Sequence, residues 1–192
     1  MTVLLEGKKV RIPKPKLLTY DDYARLTPPD SGNYELHNGK IITMPTPTAL
    51  HQLISMKLSI ILGSFILKNQ LGTLLAAPMD TIFSKNDTLQ PDLLFVSNER
   101  LDIIKKQVDG APDFVIEIAS PSNSQKELSY KKYVYETSGV REYWLINPEK
   151  QQISQYENID NELVRLGVWS LEDEFESKVL IDFKIKVKEI FE

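Results

Sequence analysis

Cysteine is absent from the chain, which excludes disulfides, thiolate metal sites and cysteine nucleophiles. Histidine occurs only twice, too few for a zinc site built from His alone. Positive charge is not in excess: 23 Lys and Arg face 27 Asp and Glu, a formal net charge of −4. That balance gives no overall attraction to nucleic acid or to an anionic membrane, so any such binding has to be local. There is no glycine-rich phosphate loop and no G-x-G-x-x-G fingerprint, and no nucleophile-elbow spacing supports a Ser-His-Asp triad. The opening MTVLLEGKKVRIPKPK carries an apolar run too short for a signal peptide, and no stretch reads as a membrane span, so a cytoplasmic protein with no membrane partner is expected. What the chain does contain is an ordinary globular mixture, 42% apolar and 26% charged over 192 residues, enough for one domain with its own core.

Residues 1–18 are expected to form a basic extended arm, with Lys8, Lys9, Arg11, Lys14 and Lys16 against Glu6 and with Pro13 and Pro15 opposing a helix. It reads either as a solvated tail or as a nucleic-acid-binding arm. Residues 19–192 are expected to be a single domain. Thr19 and Asp22 have capping-box spacing and open a short helix that Pro28 and Pro29 end. Asn38-Gly39 is the strongest hairpin signal, with strands predicted at 34–37 and 40–44. A long helix capped by Thr48 follows, its apolar face predicted from Leu50, Leu53, Ile54, Leu58, Ile61, Leu62 and Phe65. Strands are predicted at 73–83, 93–96 and 114–119, the last two almost wholly apolar, as for strands covered on both faces. Ser124 opens a second helix that Gly139 closes, and REYWLIN is a further buried strand that turns at Asn147-Pro148 into 151–156. From Leu163 onward, strand-like alternation (KIKVKEI) mixes with acidic loop. The fold class is therefore α/β: a mixed sheet flanked by helices, with a β-hairpin in front.

The chemistry resides in a few polar residues in apolar places. Glu117 lies inside FVIEIAS, where an ionised carboxylate is costly unless paired, hydrogen-bonded or bound to a cation. Alternation puts it on the face of Val115 and Ala119, opposite Phe114, Ile116 and Ile118. It reads as a ligand, as an edge residue turned to solvent, or as half of an internal ion pair. Asp92 follows Pro91 and starts the LLFV strand; Pro-Asp is also a common turn dipeptide. If the two strands pair, both carboxylates meet at one sheet end, an oxygen-rich site suited to Mg²⁺ or Mn²⁺. Lys131 falls in the middle of the inward stripe of its helix, among Ser124, Leu128 and Tyr135, whereas Lys132 lies near the edge. Its plain reading is an i,i+4 surface pair with Glu127. Its functional reading is an ammonium that holds a water or neutralises phosphate charge.

Tyr34-Glu35-Leu36 before the hairpin, His51 early in the long helix, QPDLLFVS, GAPDFVIEIASPS and YKKYVYETSGVREYWLIN occur in that order. Over about residues 19–156 the chain closely resembles the restriction endonuclease family with the PD-(D/E)XK nuclease fold. The resemblance implies a restriction-endonuclease-like mixed sheet bearing the acidic pair and a helix packed on it. Asp92 matches the Asp of the PD element and Glu117 the acidic position. Ala119 stands where the Lys would be, and Lys131 on the following helix matches it by its spacing to Tyr135 and Gly139-Val140. Glu35 and His51 match an acidic and a helix position. The implied activity is divalent-metal-dependent hydrolysis of DNA phosphodiesters. Asp92 and Glu117, with a backbone carbonyl near Ile118, would hold Mg²⁺, and Lys126 and Lys132 would contribute a local DNA-binding patch. The alternatives are a nuclease-fold binding or scaffold module without turnover, and a hydrolase of small phosphoesters. A homodimer is expected from two-strand cutting and from exposed strand material near the C-terminus.

Overall fold

The structure, a computed structural model, describes residues 2–5, 8–11, 16–27, 33–120 and 124–192. Within the basic arm, β1 (Thr2–Leu5) and β2 (Lys8–Arg11) pair as an antiparallel ladder. Lys14, Pro13, Pro15, Pro28 and Pro29 lie outside the described residues. Helix α1 (Tyr20–Leu26) opens with the predicted capping box, Thr19 accepting from the Asp22 N–H while the Asp22 carboxylate accepts from the Thr19 N–H. Strands β3 (Tyr34–His37) and β4 (Lys40–Thr43) form the predicted hairpin. Asn38 and Gly39 both adopt positive φ, as a two-residue turn of the primed type needs. A side chain at position 39 would meet Leu17 Cβ at 2.6 Å, so glycine is required twice over.

Helix α2 (Ala49–Asn69) is capped by Thr48, whose hydroxyl accepts from the His51 N–H. There follow β5 (Gly72–Ala76), β6 (Thr81–Ser84), β7 (Asp87–Leu89), β8 (Leu93–Ser97), a 3₁₀ turn at Asn98–Ile103, β9 (Val108–Asp109) and β10 (Phe114–Ile118). Helix α3 (Gln125–Ser138) ends at Gly139 with φ 86°. The chain closes with β11 (Glu142–Asn147), β12 (Gln152–Ile159), β13 (Glu162–Trp169), β14 (Glu174–Glu176), β15 (Lys184–Lys186) and the short helix α4 (Lys188–Phe191).

The main sheet has six strands in the order β13-β12-β11-β10-β8-β5, with β10 and β11 parallel and the other pairs antiparallel. A second sheet runs β4-β3-β7-β6-β9. The single strand expected at 73–83 is thus two strands in different sheets, divided where Ala77-Pro78 interrupts the ladder and the Ala77 N–H turns to the Asp92 carbonyl.

Both faces of the main sheet are covered, which is why β8 and β10 read as continuous apolar runs. Leu93, Phe95, Phe114, Ile116 and Ile118 face Ile54, Leu58, Leu62 and Ile66 of α2, together with Trp144 and the C-terminal Phe175, Leu180 and Phe183. Leu94, Val96 and Val115 face Val134 and Tyr135 of α3 with Tyr143. Each such side chain contributes about 1.5–3 kcal/mol by leaving water. Two expectations for α2 are corrected. Leu50 and Leu53, predicted on its buried face, point outward. By length and composition the helix is also apolar enough to cross a membrane. It is apolar around much of its circumference, so its inward side cannot be read from apolar content alone.

Two buried carboxylates tie connections to this frame. Asp113 accepts from the Ser97 N–H (2.9 Å) and from Arg100 Nη1 (3.0 Å). Glu142, fully buried, accepts from Trp144 Nε1, Gln155 Nε2 and Ser177 Oγ, and from the backbone N–H groups of Lys178 and Val179.

Candidate active site

Strand register brings the acidic pair together. β8 and β10 run antiparallel with Leu93 opposite Ile116, so the next step along each strand sets Asp92 beside Glu117 at one end of the sheet. Asp92 Oδ2 accepts from the Ile118 N–H at 2.7 Å, which fixes its carboxylate against β10. Glu117 is 6% exposed in a central strand, not an edge strand facing solvent.

Lys131 reaches this point from α3. It is 3% exposed, and its Nζ lies 3.1 and 3.2 Å from the two Glu117 oxygens and 2.9 Å from Glu35 Oε1. One turn further on, Tyr135 donates its hydroxyl to Glu117 Oε1. The helical projection thus separated two adjacent lysines correctly. Lys132 pairs with Glu136 at 3.3 Å and lies over the Tyr156 ring, 5.1 Å from its centroid, while Lys126 is exposed in the first turn of α3.

Glu35 comes from the other sheet. The pairing of Leu36 with Thr88 lays β3 along β7 and delivers the Glu35 side chain to Lys131. Glu35 Oε1 also accepts from the Gln90 N–H at 2.8 Å, and Oε2 lies 2.7 Å from His37 Nε2. His51, in the first turn of α2, places Nε2 3.1 Å from Asp92 Oδ2, and its buried Nδ1 has no protein partner. All five candidate residues, Asp92, Glu117, Lys131, Glu35 and His51, therefore line one open cleft of about 170 Å³, with Pro45 and Pro47 on its rim.

Two carboxylates, Glu117 and Glu35, share one ammonium with Asp92 alongside, and the ionisation of the cluster follows. Burial pushes the Glu117 carboxyl up to about 7; the Lys131 charge offsets part of this, and the charges of Asp92 and Glu35 add to it. Burial also acts on Glu35, but the Lys131 charge, with hydrogen bonds from His37, Lys131 and the Gln90 N–H, outweighs it and holds that carboxyl below the ordinary range. For Lys131 burial opposes the ammonium, and the charges of Glu117 and Glu35 overcome it, so its pKa is well above the usual value. His51 is raised because its bond to Asp92 and that residue's charge outweigh desolvation.

Among the described residues no group of three or more His, Asp or Glu side chains is arranged to hold a metal ion. The hard-oxygen donors available are two adjacent carboxylates at an open cleft. That set fits a cation that keeps most of its waters, such as Mg²⁺ or Mn²⁺, and does not fit one that needs a complete protein cage.

Three members of the cluster were not singled out from the sequence. His37 was legible, because residues two apart on a strand share a face and Glu35 had already been marked. Tyr135 sits one helical turn after Lys131, close enough to share its target. The stacking of Tyr130 on His37, at 4.8 Å, joins α3 to the hairpin across 93 residues and has no sequence signal.

The family comparison covers this whole assembly. The chain matches the Uma2 family, described as "Putative restriction endonuclease", over residues 20–188. Its structure is similar to the crystal structure of "a putative nuclease belonging to DUF820 from Anabaena variabilis ATCC 29413", with a TM-score of 0.78 and 21% sequence identity, covering 91% of this chain and 97% of that one. The fold is shared and is restriction-endonuclease-like. No curated protein matches the chain. Because the family match runs through every residue of the cluster, from Glu35 to Lys131, the chain belongs to the Uma2 family of restriction-endonuclease-type proteins.

Proposed function

We propose that the protein is a divalent-metal-dependent DNA endonuclease, and that Asp92, Glu117 and Lys131 form its catalytic core. The observation that carries this reading is the meeting of Asp92 and Glu117 at one sheet end, with a buried ammonium against Glu117 and an open cleft in front.

Asp92 and Glu117 would hold Mg²⁺ or Mn²⁺, which when bound offsets phosphate charge and makes water a better nucleophile. The remaining chemistry belongs to the chain's own residues. His51 and the Ile118 N–H fix Asp92 through Oδ2 and so orient the whole carboxylate. Lys131 presents a permanent positive charge to the equatorial oxygens of the phosphoryl transition state, a preorganised electrostatic contribution. Glu35 keeps that lysine charged and aimed, as a positioning residue. Tyr135, one helical turn after Lys131, orients Glu117 through Oε1. Position 119, two residues after Glu117, is Ala, and the lysine that meets Glu117 comes from helix α3. DNA would be held locally by Lys126 and, through a salt-sensitive contact, by Lys132.

The test is divalent-dependent nicking of supercoiled plasmid by purified protein, with Glu117→Gln as the control. Nicking that needs Mg²⁺ or Mn²⁺ and is lost in the variant supports the proposal. One observation favours the binding or scaffold reading: both Glu117 oxygens already have protein partners, so the cluster is also a satisfied internal ion pair. DNA binding without turnover, at any divalent concentration, would establish that reading instead.

A further inference from the structure

The outward face of α2 carries Leu53 (62% exposed), Met56 (61%), Ile60 (60%) and Leu67 (77%), with Gly63 between the last two. The spacing 53, 56, 60, 63, 67 alternates three and four, the seam of a helix that packs lengthwise against another helix. No acidic residue lies anywhere on α2, and its two lysines, Lys57 and Lys68, flank the stripe on one side. On its other side the stripe borders a groove of about 300 Å³, lined by Gly63, Ile66, Leu67, Thr73, Leu74 and Leu75. The wall of that groove is β5, which among the described residues pairs only with β8 and ends the six-stranded sheet.

We infer that this face is the interface of a symmetric homodimer, in which α2 packs antiparallel on α2 of a second copy with the two-fold axis at Ile60. The residue pattern selects that occupant. Reversal about Ile60 sets Leu53 beside the partner's Leu67, and the long Met56 beside the partner's small Gly63 and Ser64, on both sides at once. A two-fold interface must be self-complementary in this way, whereas an unrelated partner would impose no such symmetry. Area points the same way. Four large apolar side chains in one stripe are near the upper end of what a monomer leaves exposed. A stable interface takes roughly 800 Å² from each partner, and the adjoining groove and β5 edge extend the stripe toward that size. This places the contact on α2 and not on the C-terminal strands, where the dimer had been expected.

The geometry is specific enough to test with one thiol. Packed helices lie about 8–10 Å apart, and Cα atoms sit about 2.3 Å from each axis. Residues facing each other across the two-fold axis are then about 3.4–5.4 Å apart between Cα atoms, a span whose upper half falls in the range a disulfide bridges. The chain has no cysteine, so Ile60→Cys introduces a single thiol. Under mild oxidation it should give a covalent dimer, while Lys150→Cys, in the exposed turn after β11, should not. Light scattering should give twice the 22.0 kDa chain mass for the wild type and the single mass for Ile60→Asp, with unchanged circular dichroism. Because Ile60 is 60% exposed, the aspartate tests the interface and not the core. A wild type that remains at 22.0 kDa at high concentration overturns the inference, as does Ile60→Cys cross-linking no faster than Lys150→Cys. A monomer that floats with lipid vesicles would also overturn it and assign the stripe to a membrane surface.

Discussion

Replacing Lys131 by Met removes the one positive charge held between two buried carboxylates while keeping most of the packing of the aliphatic stem. The loss leaves Glu35 and Glu117 facing each other with no cation between them. Breaking a buried pair in this way costs about 3–5 kcal/mol. For a domain of this size that corresponds to a melting temperature lower by about 6–20 °C. The cost is also pH-dependent, and its sign can be worked out. Without the ammonium both carboxyls have folded-state pKa values raised above their unfolded values, so the native state binds more protons than the unfolded one, and stability falls as pH rises above about 4.3. The penalty should therefore be large at pH 8 and much smaller at pH 5. Thermal melts of the wild type and Lys131→Met at the two pH values measure it, and Glu35→Gln combined with Glu117→Gln should recover much of the lost stability in the Met background. A variant as stable as the wild type at pH 8, or a penalty equal at both pH values, would refute the view that this ammonium neutralises buried charge.

Three further outcomes are expected. Mn²⁺ at about a hundredfold excess over its Kd should stabilise the folded protein by about 2.7 kcal/mol, a melting-temperature rise of roughly 5–10 °C, and Glu117→Gln should abolish the rise; a melting curve that does not move counts against the cation site. Lys131→Ala should lower turnover in the nicking assay by about 10²–10³, whereas Lys132→Ala should weaken DNA binding modestly and less so at high salt; equal small losses would make Lys131 only another charge. Asp113→Asn should destabilise the protein by about 1.5–3 kcal/mol at pH 7, the scale of a lost hydrogen bond to a charged group. Burial opposes the Asp113 carboxylate, but the Ser97 N–H and Arg100 hold its pKa below the ordinary value, so its contribution is present above an unfolded pKa of about 3.9 and is lost as pH falls through the lower folded value. Melts of variant and wild type should converge in strong acid, and a gap that persists there would contradict this.

The acidic pair was legible because each member breaks a local pattern: a Pro-Asp at the mouth of one apolar strand and a lone Glu inside another. Lys131 was legible because a helix with one apolar stripe has a computable inward side. The same projection misplaced Leu50 and Leu53, since α2 is apolar on nearly every side and only the sheet beneath it decides which side is buried. Glu35 reaches the cluster through pairing between β3 and β7, strands some fifty residues apart in sequence, a long-range register that periodicity does not encode. It entered only through the family resemblance. The division of 73–83 between two sheets was missed for a similar reason, because its residues read as strand on both sides of Pro78 and nothing local names the partner strands.

The Glu142 carboxylate bears on how the protein is made. Synthesis proceeds from the N-terminus, so β11 exists before Ser177, Lys178 and Val179, which supply three of its five donors. Until they arrive, burying Glu142 leaves a charged group short of partners, which is costly. Phe175, Leu180, Phe183 and Ile185 are likewise missing from the surface that α2 and the sheet enclose. A nascent chain that has reached residue 170 thus contains every residue of the cleft cluster and the packing on that face of the sheet, but lacks the residues that close the core on the other face. Ribosome-stalled chains of increasing length should gain protease resistance abruptly once the segment from Ser177 to Val187 has left the exit tunnel. The face of the sheet opposite Glu117 is thus the last part of the described fold to close.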